Sequence, residues 1–147
     1  MDPLSFTASL IAVVGAAATA AKHLENLRTT LRDASSALCS LINEISDLRI
    51  VLGACETAVQ ELYANSSEHD PPTALADVAG LFERTTALLE ELDKIVGNCM
   101  KEGSDDHGKA KVVKFKWLRQ RRHVRTIQEK LRESKQDILV LMESHSL

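Results

Sequence analysis

The sequence predicts an all-α fold, an antiparallel four-helix bundle, and three observations carry the prediction. Apolar residues recur at three- and four-residue spacing through four long segments, which is the period of a helix with one buried face. Only six Gly and three Pro interrupt the 147 residues. Aromatic residues make up 3% of the chain, so strands have little to be built from. A chain of this length forms one domain and buries a core without metal or disulfide staples. The expected helices cover approximately residues 3–32, 35–64, 72–101 and 115–144, with a flexible loop at 102–113.

The first helix is set by MDPLSFTASLIAVVGAAATAA, in which no charged side chain appears between Asp2 and Lys22, although the chain is 27% charged. Asp2 suits an N-cap and Pro3 the first helical turn, whose orphan N–H it does not need. Leu4, Phe6, Leu10, Ile11, Val13 and Val14 supply large apolar side chains. Ala8, Ala12, Ala16 and Ala20 recur every four residues as a small-residue stripe along which another helix could pack closely. Residues 3–21 would span about 28 Å at the helical rise, just short of a bilayer's hydrocarbon core. Ser5, Thr7, Ser9 and Thr19 lower the hydrophobicity, and no second segment of this kind follows. A helix buried within a soluble bundle is therefore the resting expectation. A secretory leader fits worse, since Asp2 stands where a positive charge belongs.

The second helix has Asp33, Ser35 and Ser36 as candidate caps. Leu38, Leu41, Ile42, Ile45, Leu48, Leu52, Cys55, Val59 and Leu62 then hold the helical spacing for about seven turns. Asn65 to Ser67, followed by Asp70, Pro71 and Pro72, end it and open the third helix. That helix repeats Leu75, Val78, Phe82, Thr85, Leu89, Leu92, Val96 and Met100. Gly103 and the polar GSDDHGK stretch close it. The fourth carries Leu118, Val124, Ile127, Leu131, Ile138, Leu141 and Met142 on one face.

Charge divides the chain more sharply than the net −3 suggests. Residues 1–106 hold 7 Lys/Arg against 17 Asp/Glu, and residues 107–147 hold 11 against 4. Between Lys109 and Arg125 there are eight Lys/Arg and no acid, interleaved with Val112, Val113, Phe115 and the sole tryptophan, Trp117. This segment could neutralise the acidic remainder of the bundle or meet an anionic surface outside it. Anionic lipid headgroups are one such surface, and Trp117 beside Lys116 and Arg119 suits a membrane interface. No base-reading motif accompanies the charge, so no nucleic acid is expected.

Catalytic and cofactor patterns are missing from the sequence. His23, His69, His107, His123 and His145 stand singly, with no spacing that would put two metal ligands on one helix face. Gly103 and Gly108 lie in a polar stretch rather than in a phosphate-binding loop. No nucleophile elbow occurs, and Glu90, Glu91 and Asp93 read as a solvated helix face. Cys39, Cys55 and Cys99 fall on apolar helix faces and read as buried free thiols in a reducing compartment. The expectation is a non-enzyme without catalytic residues, metal or cofactor.

The opening MDPLSFTASLIAVVG, the long second helix and the late element VKFKWLRQRRHVRTIQEKLRESKQDILVLM resemble the N-terminal domain of fungal STAND proteins, the NOD-like receptors of fungi. That domain belongs to the HeLo-like group of helical bundles. The resemblance implies a signalling or executioner module, followed in the full receptor by a nucleotide-binding domain and sensor repeats. HeLo-like bundles are similar to the four-helix domain of the necroptosis pseudokinase and to N-terminal domains of some plant resistance proteins, where oligomerisation drives membrane permeabilisation. By that resemblance Leu4, Phe6, Leu10, Ile11, Val13 and Val14 would enter the membrane, and Lys114, Lys116, Arg119, Arg121 and Arg122, with Trp117 at the interface, would be candidates for lipid headgroup contact. The domain would be cytoplasmic at rest, form homo-oligomers on activation, and move to anionic lipids of the plasma membrane to trigger regulated cell death. The alternative is a non-lytic adaptor bundle that passes a signal to another helical partner.

Overall fold

A computed structural model of the chain describes residues 3–32, 35–65, 74–101 and 106–144. The described residues form five helices and no strand: α1 (Pro3–Leu31), α2 (Ser36–Asn65), α3 (Ala74–Met100), α4 (Asp106–Arg119) and α5 (Arg121–Ser144). Asp2 and Asp33, read as caps, lie outside the described residues, as do the 66–73 connection, His69 and His145. Nothing is described of the side chains of Leu4, Leu62, Leu75 and His107.

The second helix has the cap its sequence offers. The Ser35 hydroxyl accepts the Leu38 N–H at 3.2 Å while its carbonyl accepts the Cys39 N–H at 3.1 Å, which satisfies donors the first turn would otherwise leave open. On α2, Leu38, Leu41, Ile45, Leu48, Leu52, Cys55 and Val59 are all buried. α1 ends differently. Arg32 takes φ 54°, the left-handed conformation that closes a helix and that glycine adopts more cheaply.

α1 is the central packing element. Phe6, Leu10, Val13, Ala17, Ala20, Leu24 and Leu27 form its buried line, and its longest interface is with α3, followed by α2. Phe6 packs on Phe82 with ring centroids 5.7 Å apart, and further along His23 reaches Asp93, so α1 and α3 run side by side in the same direction. α2 and α5 are likewise parallel, because Ser40 meets Gln128 and Glu44 meets Arg132 and Lys135. Among the described residues α2 makes no interface with α3, its successor in the chain. An antiparallel bundle of successive neighbours is therefore not the arrangement observed. The reason lies in α1: with no charge to reserve an outer side over its first five turns, it takes α2 on one flank and α3 on the other.

The expected fourth helix, 115–144, is two helices, and the expected loop at 102–113 is helical from Asp106 onward. Residues 102–105 of that loop lie outside the described residues. The chain turns at Gln120, whose N–H donates back to the Trp117 carbonyl at 3.0 Å, and Val124 N–H donates to the Gln120 carbonyl at 2.9 Å to start α5. A straight continuation of α5 through fourteen more residues would extend about 21 Å, past the end of α3 and into water. The turn instead folds α4 back onto α3 and α1. Val113 and Trp117, one helical turn apart, are buried there, and that anchor makes a helix of a segment whose charge reads as loop.

Two of the buried polar groups, Thr85 and Glu44, are matched within the fold. Thr85, fully buried, donates its hydroxyl to the Leu81 carbonyl at 2.7 Å. Glu44, buried on α2, accepts from Arg132 Nε at 2.7 Å and Lys135 Nζ at 3.0 Å, clamping α2 to α5.

Candidate interaction surfaces

The apolar residues of α1 divide by rotation about the helix axis. Phe6, Leu10 and Val13 point into the core, Val14 is half-buried on the α2 flank, and Ile11 is 62% exposed. The alanine series does not stay on one face. A step of four residues advances about 40° beyond a full turn, so Ala8 and Ala12 are exposed, Ala16 is half-buried and Ala20 is in the core. The outward line of α1 is instead Ala8, Ile11, Ala12, Gly15, Ala18 and Thr19, all exposed and none charged. An amphipathic helix of a soluble bundle places its charged and polar residues on that side. Here charge arrives only at Lys22. Among the described residues, one helical stretch, Phe6–Leu31, is long and apolar enough to cross a bilayer by length and composition, and a third of its apolar window is buried.

Where α1 meets α3, this outward face becomes the floor of an open seam. Ile11, Ala12, Gly15, Ala16 and Thr19 line one wall, Leu89, Glu90 and Asp93 the other. A Cβ added at Gly15 would meet nothing within 4 Å, so the seam is open down to the backbone there. Two polar contacts cross it: His23 Nδ1 lies 2.7 Å from Asp93 Oδ1, and Ser9 Oγ donates to Glu83 Oε1 at 3.5 Å.

The basic element forms a second surface. With Val113 and Trp117 turned inward, α4 presents Phe115 and Leu118 outward, 62% and 47% exposed. Lys111, Lys114 and Arg119 surround them and are exposed. The Arg119 guanidinium lies over the Phe115 ring, 5.7 Å from its centroid, a cation–π contact that holds both side chains in place. Arg121 and Arg122 are exposed in the first turn of α5. Of the headgroup candidates, Trp117 is a core plug at 6% exposure and Lys116 is half-buried beside Cys99. The residue the sequence reading left out is Phe115, whose outward direction depends on which of two neighbouring aromatics docks.

Among the described residues no group of three His, Cys, Asp or Glu could hold a metal ion. Burial pushes the Cys55 thiol up to about 11, which leaves it protonated and inert at neutral pH. Burial raises Cys99 too, against the opposing charge of Lys116, whereas Cys39, expected to be buried, is exposed on α2.

A family profile described as "Pigment biosynthesis cluster protein PigL N-terminal" matches residues 1–147, the full length of the sequence. The chain belongs to the PigL N-terminal family. In this member of the family, the uncharged α1 face and the basic-aromatic α4 face are two of the surfaces that the fold leaves uncovered, beside exposed Ile50 on α2 and Val140 on α5. No curated protein and no solved structure gives a significant match to the chain.

Proposed function

We propose that this chain is a HeLo-like effector domain at the N-terminus of a fungal immune-type receptor of the STAND class, a non-enzymatic module whose clustering directs its first helix to a membrane and triggers regulated cell death. The observation that carries the reading is the outer face of α1, uncharged from Ala8 through Thr19 while exposed to solvent. A helix that only ever borders water gains nothing from such a face. One that moves between a protein core and lipid, or between copies of itself, uses all its sides.

On this reading α1, α2, α3 and α5 make a four-helix frame and α4 braces one end. The family's description as an N-terminal segment supports a place ahead of further domains of the same protein. Clustering by those domains shifts the population from the docked α1 toward an exposed one at the anionic plasma membrane. Arg121 and Arg122, exposed beside the brace, are suited to headgroup contact.

The test is dye release from anionic liposomes by the chain fused to a forced oligomerisation tag. Deleting residues 1–21 is a poor control, since it would remove Phe6, Leu10, Val13, Ala17 and Ala20 from the core. Ile11→Glu is the better one: it charges the outer face at an exposed position and leaves the buried line intact. Release that requires both the tag and a neutral outer face is the expected result. A folded, oligomeric fusion that releases nothing refutes the membrane reading and leaves the adaptor bundle.

A further inference from the structure

Of the uncovered surfaces, the α4 face and the α1/α3 seam are complementary in charge. The α4 surface is convex, an aromatic and a leucine ringed by Lys111, Lys114 and Arg119. The seam between α1 and α3 is concave, floored by uncharged α1 residues and edged by Glu90 and Asp93. We infer that the α4 ridge of one copy seats in the α1/α3 seam of a second copy, so that the domain assembles head to tail. The inference rests on the self-association in the proposed function and specifies its interface.

Charge excludes the symmetric alternatives. Ridge against ridge would bring two sets of cations together, and seam against seam two rows of carboxylates; like charges brought together across an interface oppose docking. Ridge in seam brings Lys114 and Arg119 to exposed Glu90, and to Asp93 alongside its contact with His23. A lipid or nucleic-acid surface would satisfy the cations but leave the acid-edged seam uncovered, whereas a second copy covers both. The local chemistry is that of an interface centre: Phe115 is already held by Arg119, which lowers the ordering cost on docking, and aromatic and Arg side chains dominate such centres. Gly15 opens the floor where a ring must approach closely, and no contact within the chain requires glycine there. Because each copy carries one ridge and one seam, pairing leaves one of each open, and growth continues to a closed ring or a filament.

Sedimentation velocity on the purified chain tests this with two variants, each checked for helix content by circular dichroism. The ridge variant is Lys114→Glu, Phe115→Ala, Arg119→Glu; the seam variant is Gly15→Leu, Glu90→Lys. All five positions are exposed, so neither variant removes core. The wild type is expected to form species larger than a dimer at high concentration, and added salt should weaken them. Each variant alone should associate at least about tenfold more weakly. The equimolar mixture should stop at a heterodimer, since one intact ridge and one intact seam remain. Wild-type-like association of either variant, a monomeric mixture, or a wild type that stays monomeric to its solubility limit overturns the interface. So does a ridge variant that loses only vesicle binding, which would make lipid the ridge's partner. Dye release by the tagged wild type separates the two failures: release with association untouched by the variants refutes this interface and leaves the effector reading standing.

Discussion

Replacing Glu44 by Gln should destabilise the fold by about 2 kcal/mol at neutral pH, and the figure follows from what surrounds the carboxylate. Its side chain is 8% exposed and receives Lys135, itself 13% exposed, and Arg132, which is 55% exposed. Breaking a buried pair outright costs about 3–5 kcal/mol because a charge is left stranded. Here Gln keeps the shape and one acceptor oxygen, and Arg132 can turn to water, so the stranded charge is Lys135 alone. Asp47, 4.0 Å from Lys135 and largely exposed, compensates little. The pH dependence gives a second signature. Burial by itself would raise the Glu44 carboxyl, but hydrogen bonds and charge from Lys135 and Arg132 outweigh it and hold the group below its ordinary 4.5. The unfolded chain therefore takes up this proton at a higher pH than the folded one. The pair's contribution is complete above the ordinary value and is lost as pH falls through the folded value. Urea denaturation followed by far-UV circular dichroism, run at neutral and at acidic pH, measures both. A difference under about 0.5 kcal/mol at neutral pH, or one that does not shrink on acidification, would refute the clamp.

Gly15→Ala should raise stability by about 0.5–1 kcal/mol, since the methyl meets open space and mid-helix glycine is costly; a lower melting temperature would contradict the packing described for α1. Arg32→Gly should stabilise by about 0.5 kcal/mol through relief at φ 54°, read from the same urea titration. Val113→Asp places a charge in the fully buried anchor of α4. The expected outcome is local: emission of the sole tryptophan, Trp117, shifts red as α4 undocks, while most of the far-UV helix signal persists. An unshifted emission maximum would mean that α4 is held by something other than Val113 and Trp117.

How much of this was legible depended on where charge punctuates the sequence. On α2, charged and apolar residues alternate at helical period, and its seven buried apolar residues from Leu38 to Val59 could be read directly. α1 shows the opposite case. Its length was plain, but with no charge from Pro3 to Ala21 nothing in the pattern marks an outside, so the rotation that buries Phe6 and exposes Ile11 is fixed only by α2 and α3. The alanine stripe failed as a face because four-residue spacing drifts around a straight helix. The start of α4 was misread because Gly103 and the polar GSDDHGK run signal a loop, while its docking site is assembled from α1 and α3. The Glu44 clamp joins residues 88 and 91 apart in sequence, a pairing no local pattern encodes.

That clamp also sets which bonds in the domain have a substitute elsewhere. α1 is held chiefly by apolar side chains, with His23 to Asp93 and Ser9 to Glu83 among its polar ties to α3. Hydrocarbon of any origin can replace what those apolar neighbours supply. Glu44 with Arg132 and Lys135 has no such replacement, because an acyl chain offers nothing to a carboxylate or an ammonium. The domain thus joins two kinds of material: a miscible helix, exchangeable with any greasy surroundings, and a charge-riveted pair of helices that must stay where water or protein can solvate its rivets.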